Sequence, residues 1–252
     1  MLALRTYFRH ARAAMLALLL IILAAAPARV DTPDVDLLLV LAADVSRSID
    51  DVKFKLQREG YAAAIADPLI VKAMQSAGPN RRIGLVFIEW AGLGETKVII
   101  DWTSLGSQAE AKAFADQVLA APRPFYGRTS IAGAIDVAME KLKSSPYKSD
   151  RHIIDISGDG TNNAGREVTE ARDQAVAANV VINGIVILSA VPLPFNPAHT
   201  HPMGGLLNYD QTNVIGGPGS FAIQAESFQT FGQALRAKLI KEIAAHAAPP
   251  RG

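Results

Sequence analysis

One short apolar run constrains the fold of this chain more than any other feature. Residues 37–43 are all hydrophobic, and a run so short and so uniformly apolar is typical of a strand buried on both faces of a parallel sheet. It stops at Asp-Val-Ser-Arg-Ser, residues 44–48, where three oxygen-bearing side chains alternate. In open α/β sheets, ligands bind at the carboxyl ends of the strands. We therefore expect functional residues at this point.

Further apolar runs alternate with helical patterns along the rest of the chain. Hydrophobic residues at three- and four-residue spacing predict helices, the last ending near Ala245. Residues 190–218 show no period and are expected to form an irregular connection, which at that length is often functional. The alternation predicts an α/β fold, a doubly wound, mainly parallel sheet with helices on both faces. The later strands are predicted at 82–90, 97–102 (a short edge strand), 152–157, 180–188 and 221–223.

The amino terminus has the pattern of a secretory signal peptide. Arg5, Arg9 and Arg12 precede the apolar block 14–25, and Ala26-Pro27-Ala28 forms a small-residue cleavage site. The block is shorter than the roughly 20 residues that a spanning helix needs, so cleavage after Ala28 is favoured over an uncleaved membrane anchor. The expected location is the periplasm or the exterior of a bacterium, with no stable membrane span after cleavage.

Composition limits the class of protein that follows this segment. The formal net charge of the whole chain is +1, so the chain lacks the basic excess that is typical of a nucleic-acid binder. The absence of cysteine excludes thiol catalysis and cysteine-based metal sites. The remaining length suffices for one well-packed domain. The predicted division is a signal peptide at 1–28, a linker at 29–34, one domain at 35–246 and a disordered tail at 247–252.

Five oxygen-bearing side chains at the ends of predicted elements indicate a metal site. Thr129 precedes a predicted helix and Asp159 follows a predicted strand, and they join Asp44, Ser46 and Ser48. Two carboxylates and three hydroxyls suit Mg²⁺, or Mn²⁺ or Ca²⁺. Two carboxylates about 4 Å apart repel by roughly 4 kcal/mol at an effective dielectric near 20, so a cation is expected between them. An arginine, Arg47 or Arg128, is the alternative to a metal.

In these motifs the chain resembles the von Willebrand factor A (VWA) domain, a Rossmann-like fold. That family has D-x-S-x-S after the first strand, a Thr before a middle helix and an Asp after the fourth strand. These correspond here to residues 44–48, Thr129 and Asp159, and the similarity covers about 36–245. One departure is Gly158, where the family usually has Thr or Ser. The segment 213–221 and the helix after it look like an uncharacterised exported bacterial branch of that superfamily.

The resemblance implies a metal-ion-dependent adhesion site (MIDAS). In the family the metal is held partly directly and partly through water, and a carboxylate of a partner protein fills one open position. The implied function is an exported, metal-dependent protein-binding module rather than an enzyme. The metal would be held by Asp44, Ser46, Ser48, Thr129 and Asp159, and the partner would offer an Asp or Glu carboxylate.

Several alternatives remain open at the level of sequence. Ser48 with Asp51 three residues later also fits a helix cap. Asp155, inside a strand, is interpreted as structural, and His199-Thr200-His201 as a solvated loop rather than half of a zinc site. A phosphatase-like hydrolase could use Asp44, although Ser46 stands where such enzymes want a second acid. A purely structural metal-stabilised domain is the third possibility.

Overall fold

The computed structural model describes residues 32–244 of the chain. The predicted signal peptide 1–28 and tail 247–252 lie outside the described residues, as do residues 29–31 of the predicted linker. Within 32–244, no helix is both long and apolar enough to cross a membrane.

A six-stranded sheet forms the centre of the fold, in the order β3-β2-β1-β4-β5-β6. All neighbouring strands are parallel except β2 and β3, which are antiparallel. The predicted doubly wound, mainly parallel α/β sheet is therefore confirmed. The edge strand β3 is longer than the predicted 97–102. The strands are β1 Leu38–Asp44, β2 Ile83–Trp90, β3 Thr96–Leu105, β4 His152–Gly158, β5 Val181–Ile187 and β6 Ala222–Ala225.

Helices cover both faces of this sheet. One apolar core lies between the sheet and α1, α2, α3 and α8, and the other between the sheet and α4 and α5. The expectation of an irregular 190–218 connection was wrong in part, because α6, α7 and a π-helical turn, Asp210–Val214, lie within it. The α-helices are α1 Asp51–Ile65, α2 Pro68–Gln75, α3 Gln108–Ala120, α4 Ile131–Lys143, α5 Val168–Ala177, α6 Pro197–Thr200, α7 Leu206–Tyr209 and α8 Phe231–Ala244.

The first helix is capped by Asp50 and not by Ser48. The Asp50 carboxylate accepts a hydrogen bond from the backbone N–H of Lys53 at 2.9 Å, which satisfies one of the free N–H groups of the first turn. The Ser48 hydroxyl instead donates to Asp159 at 2.5 Å. The interpretation of Ser48 as a cap was therefore wrong, because the capping residue lies two positions later, at Asp50.

Asp50→Ala should lower the free energy of unfolding by about 1 kcal/mol, the usual cost of losing such a cap. Urea denaturation followed by circular dichroism measures this loss. Because Asp50 is exposed and contributes no oxygen to the Ser48 cluster, a much larger loss would show that it has a role other than capping.

A cluster of four polar side chains is buried between the sheet and α8. Lys238 of α8 lies 2.6 Å from Asp155 of β4 and also pairs with Glu242, while the Asn183 side chain donates to Glu242 at 2.7 Å. All four residues are at most 2% exposed. Burial, and next the charge of Asp155, raises the pKa of Glu242 to about 8. Asp155 thus contacts a buried lysine, as its structural interpretation requires.

Glu242→Gln should flatten the dependence of stability on pH above neutrality. The pKa of Glu242 is higher in the folded chain than its ordinary value of 4.5, so the folded state binds the extra proton. The associated stability is fully present below pH 4.5 and is lost as the pH rises through about 8. We expect the melting temperature of the wild type to fall more steeply between about pH 5 and 8 than that of the variant. Equal slopes would contradict the raised pKa.

Candidate metal centre

The five candidate ligands meet at the carboxyl edge of the sheet, where β1 and β4 lie side by side. Asp44 is the last residue of β1 and Asp159 directly follows β4. From β1 the chain continues to β2 on one side of the sheet and later to β4 on the other, so the two strand ends flank a topological switch point. All five side chains are buried: Asp44 0%, Ser46 1%, Ser48 6%, Thr129 1% and Asp159 0% exposed.

The three hydroxyls form a continuous chain of hydrogen bonds that ends on Asp159. Thr129 Oγ1 donates to Ser46 Oγ at 3.2 Å, and Ser46 Oγ and Ser48 Oγ are 3.1 Å apart. Ser48 Oγ donates to Asp159 Oδ1 at 2.5 Å. Because the proton of Ser48 is used on Asp159, its oxygen accepts from Ser46, and the chain has one direction. The last of these hydrogen bonds joins residues that are 111 positions apart in sequence.

The surroundings of the Asp44 carboxylate are the clearest indication of a cation site. Its Oδ1 accepts the backbone N–H of Ser46 at 2.7 Å, but Oδ2 is buried without a hydrogen-bond partner. Burial, and next the charge of Asp159, raises the pKa of Asp44 to about 8. A Cβ at position 158 would lie 3.2 Å from Oδ2, so Gly158 leaves space beside this oxygen. An unsatisfied carboxylate oxygen among hydroxyls fits a hard divalent cation.

The described residues contain no group of three or more His, Cys, Asp or Glu side chains placed to hold a metal. Two carboxylates alone do not make a metal centre, so a cation at this edge would need the hydroxyls of Ser46, Ser48 and Thr129. Asp, Ser and Thr oxygens favour Mg²⁺, Mn²⁺ or Ca²⁺ over zinc.

Lys53, and neither of the two suggested arginines, is the side chain that pairs with Asp159. Its Nζ lies 3.4 Å from Asp159 Oδ2, and it donates to the Ser48 carbonyl at 2.9 Å and to Ser189 Oγ at 3.1 Å. Arg47 instead lies over the ring of Phe195, 5.8 Å from its centroid. The alternative that Arg47 or Arg128 stands in for a metal was wrong, because nearness in sequence does not show where a side chain points. Lys53, one turn into α1, points back over the strand end.

Arg123 was missed by sequence reasoning and fixes the loop that carries Ser46 and Ser48. Its Nη2 donates to the carbonyl oxygens of Val45, Ser46 and Ile49 at 2.9, 3.1 and 2.7 Å. The guanidinium also lies over the ring of Tyr126, 4.1 Å from its centroid. Arginine suits this task because its planar fork offers several donors in fixed geometry. Its place in a loop without periodic pattern gave no sequence signal for it.

Two asparagines that follow β4 position the Thr129 loop. Asn163 Oδ1 accepts the backbone N–H of Thr129 at 3.0 Å, and Asn162 Oδ1 accepts that of Ala132 at 3.3 Å. The backbone N–H of Asn163 in turn donates to the Thr129 carbonyl at 2.9 Å. Thr129 is therefore held from the side of Asp159, which couples two of the three ligand-bearing segments.

His199 lies against the same cluster, so the interpretation of residues 199–201 as a solvated loop was wrong for its first two members. His199 and Thr200 are only 4% and 5% exposed, whereas His201 is exposed. His199 Nε2 lies 3.2 Å from Thr129 Oγ1, and burial lowers the pKa of the imidazole. A Cβ at position 160 would lie 2.2 Å from this ring. Glycine at position 160 therefore permits the approach of His199.

Residues 34–247 match the family described as "Protein of unknown function (DUF1194)". The chain belongs to this family. None of the curated proteins compared with this DUF1194 chain matches it significantly in sequence.

Solved structures show that the DUF1194 chain has the VWA fold. Proximal thread matrix protein 1 (PTMP1) from the mussel byssus, with a zinc-occupied MIDAS motif, is similar with a TM-score of 0.58 and 14% identity over 84% of this chain and 49% of that one. The pilus adhesin SpaC from Lactobacillus rhamnosus GG, in its open conformation, is similar with a TM-score of 0.57 and 14% identity over 84% of this chain and 30% of that one. The von Willebrand factor type A protein from Catenulispora acidiphila is similar with a TM-score of 0.51 and 14% identity over 83% of this chain and 43% of that one. The chain spans half or less of each of these proteins.

Proposed function

We propose that the protein is an exported, metal-dependent protein-binding module of the adhesion or scaffold type. The observation that carries this proposal is the Asp44 Oδ2 atom, buried and unpartnered beside a chain of three hydroxyls that ends on a second carboxylate. Asp44, Ser46, Ser48, Thr129 and Asp159 would hold Mg²⁺, or Mn²⁺ or Ca²⁺. The zinc-occupied MIDAS motif of mussel PTMP1, on the same fold, supports a divalent cation at this edge.

The partner proposed for this site is a protein that offers an Asp or Glu carboxylate. A cation held by two carboxylates and neutral hydroxyls retains affinity for a further anionic oxygen. Arg47 and Arg128 are exposed beside the site, and their charge would attract an acidic side chain and speed its association. The similarity in fold to the pilus adhesin SpaC is consistent with a binding role.

Chemistry at the cluster supports binding rather than turnover. Ser46 occupies the position where a phosphatase-like site would place its second acid, and it can neither donate nor accept a proton near neutral pH as a carboxyl group does. Thr129 is only 1% exposed, so it is not an accessible nucleophile. We therefore propose that the protein is not an enzyme. Export through cleavage after Ala28 is part of the same proposal, and N-terminal sequencing of the secreted form tests it.

The binding role is tested by capture of partners from cell-envelope extract of the source bacterium. Immobilised wild-type protein, Asp159→Asn and the cap variant Asp50→Ala are compared in Mg²⁺ and in EDTA. The proposal expects proteins that wild type and Asp50→Ala retain in Mg²⁺, that EDTA releases, and that Asp159→Asn does not capture. Retention that is independent of both EDTA and Asp159 would refute a metal-bridged interaction.

A further inference from the structure

The segment 190–205, here called the cover segment, lies over the candidate metal centre. Most of it is exposed, including Val191, Phe195 and Met203 at 73%, 72% and 100%. Its short helix α6 ends with His199 and Thr200, which are buried. The backbone carbonyl of His199 accepts the N–H of Thr161 at 2.9 Å. His199 is therefore the residue by which the cover segment is hydrogen-bonded to the site, while Phe195 contacts it through the Arg47 guanidinium.

The hydrogen bonds of Asn163 determine which way the His199 ring donates. Asn163 uses its Oδ1 to accept from the Thr129 backbone, so its amide NH₂ is the group that faces His199 Nδ1, at 3.3 Å. Nδ1 then accepts from this amide, and the Thr161 hydroxyl, 3.3 Å from the same nitrogen, can also donate to it, so the proton of the neutral ring lies on Nε2. Nε2–H donates to Thr129 Oγ1 at 3.2 Å. In this state Nε2 offers no lone pair to a metal, so His199 acts as a donor and not as a ligand.

The space beside Thr129 is small because the cover segment fills it. A cavity of about 30 Å³ remains there, lined by Arg47 and Arg128 on one side and by Leu193, Phe195 and His199 of the cover segment on the other. A space of this size has room for ordered water but not for a side chain of another protein. The carboxylate of another protein therefore cannot reach Thr129 while His199 stays in place.

We propose that the cover segment is the intramolecular occupant of this site, and that His199 holds it where an outside carboxylate must bind. The inference rests on the proposed function. A partner would have to displace the imidazole from Thr129, after which the two arginines that line the cavity become available to its carboxylate. Since only the open fraction of molecules binds, closure reduces the apparent affinity for the partner by that fraction. His199 thus sets which ligands gain access to the site.

The test measures acetate, as the simplest carboxylate, on the full chain loaded with Mn²⁺. Electron paramagnetic resonance gives the dissociation constant of Mn²⁺, and water-proton relaxation gives that of acetate through the displaced water. His199→Ala should bind acetate about tenfold more tightly than the wild type, with Mn²⁺ affinity changed less than about threefold. His199→Gln keeps a donor near the position of Nε2 and should stay near wild type. His201→Ala, on the exposed neighbour, is the matched control and should not change either constant.

Hydrogen exchange of the wild type tests the same proposal without any variant. Adding Mn²⁺ and acetate should increase exchange at amides of the cover segment and leave exchange in β1 and β4 unchanged. Equal acetate affinity in His199→Ala and His201→Ala, or no change in exchange, would overturn the inference and leave the proposed function standing. A loss of Mn²⁺ affinity above tenfold in His199→Ala would overturn it by making His199 a ligand. Absence of Mn²⁺ binding to the wild type would refute the proposed function and this inference together.

Discussion

Replacing Lys238 with methionine should lower the free energy of unfolding by about 3–5 kcal/mol, the usual cost of removing one partner from a buried ionic group. Lys238 is the cation that faces Asp155 and Glu242, and none of the three is more than 1% exposed. Methionine fills a similar volume, so the loss reflects two carboxyl groups left without a buried positive charge. For a domain of this length the melting temperature should fall by roughly 6–20 °C.

The control is Lys112→Met, which removes the cation of an exposed pair. Lys112 and Asp116 are 68% and 60% exposed, so their pair contributes only about 0.3–0.5 kcal/mol. Guanidinium denaturation monitored by circular dichroism compares both variants with the wild type. The triple variant Lys238→Met/Asp155→Asn/Glu242→Gln, which removes all three ionisable groups of this cluster, should recover much of the loss. Similar losses in Lys238→Met and Lys112→Met would contradict the role assigned to the buried group.

Saturating Mg²⁺ or Mn²⁺ should raise the melting temperature by about 5–10 °C over a sample treated with EDTA. The five candidate ligands come from three distant segments and meet only in the fold, so the cation binds the native state and stabilises it by mass action. At one hundred times the dissociation constant the gain is about 2.7 kcal/mol, and each kcal/mol corresponds to roughly 2–4 °C at this chain length. Differential scanning calorimetry measures the shift directly.

Asp159→Asn should abolish this shift, because it keeps the size of the side chain and an acceptor for Ser48 but removes the charge. Asp50→Ala is the matched control: it lies beside the same loop and should lower the melting temperature in both conditions without changing the difference between them. If wild type and Asp159→Asn melt alike in Mg²⁺, Mn²⁺ and Ca²⁺, the five residues do not form a metal site, and Lys53 is the cation that the two carboxylates use.

The centre of the sheet was predictable from sequence because β1, β2, β4 and β5 are short, apolar and almost entirely buried. The five candidate metal ligands could be placed at one edge of the sheet, since parallel strands bring their carboxyl ends together. The helix α2 was missed, because an eight-residue element that begins at Pro68 gives too little periodic pattern. Local sequence pattern predicts long, regular helices and strands better than it predicts short helices or the contacts between elements.

The side chains that complete the site were not predictable in the same way. Lys53, Arg123 and His199 act across distances that the sequence does not encode as spacing, and each has an ordinary surface interpretation when read alone. His199 in particular lies 70 residues from its partner Thr129. Its burial depends on the absence of a side chain at Gly160, a contact that only the folded chain reveals.

The sequence separation within the site also determines when it can form. Ser48 and Asp159 are 111 positions apart, and β1 lies between β2 and β4, so the first strand gains its second neighbour only after more than half of the chain is available. Pairing across such separations is slow compared with local helix formation. A cation would therefore find no preformed site on the early chain, and it would act on this protein as a late stabiliser of an assembled sheet and not as a nucleus for folding.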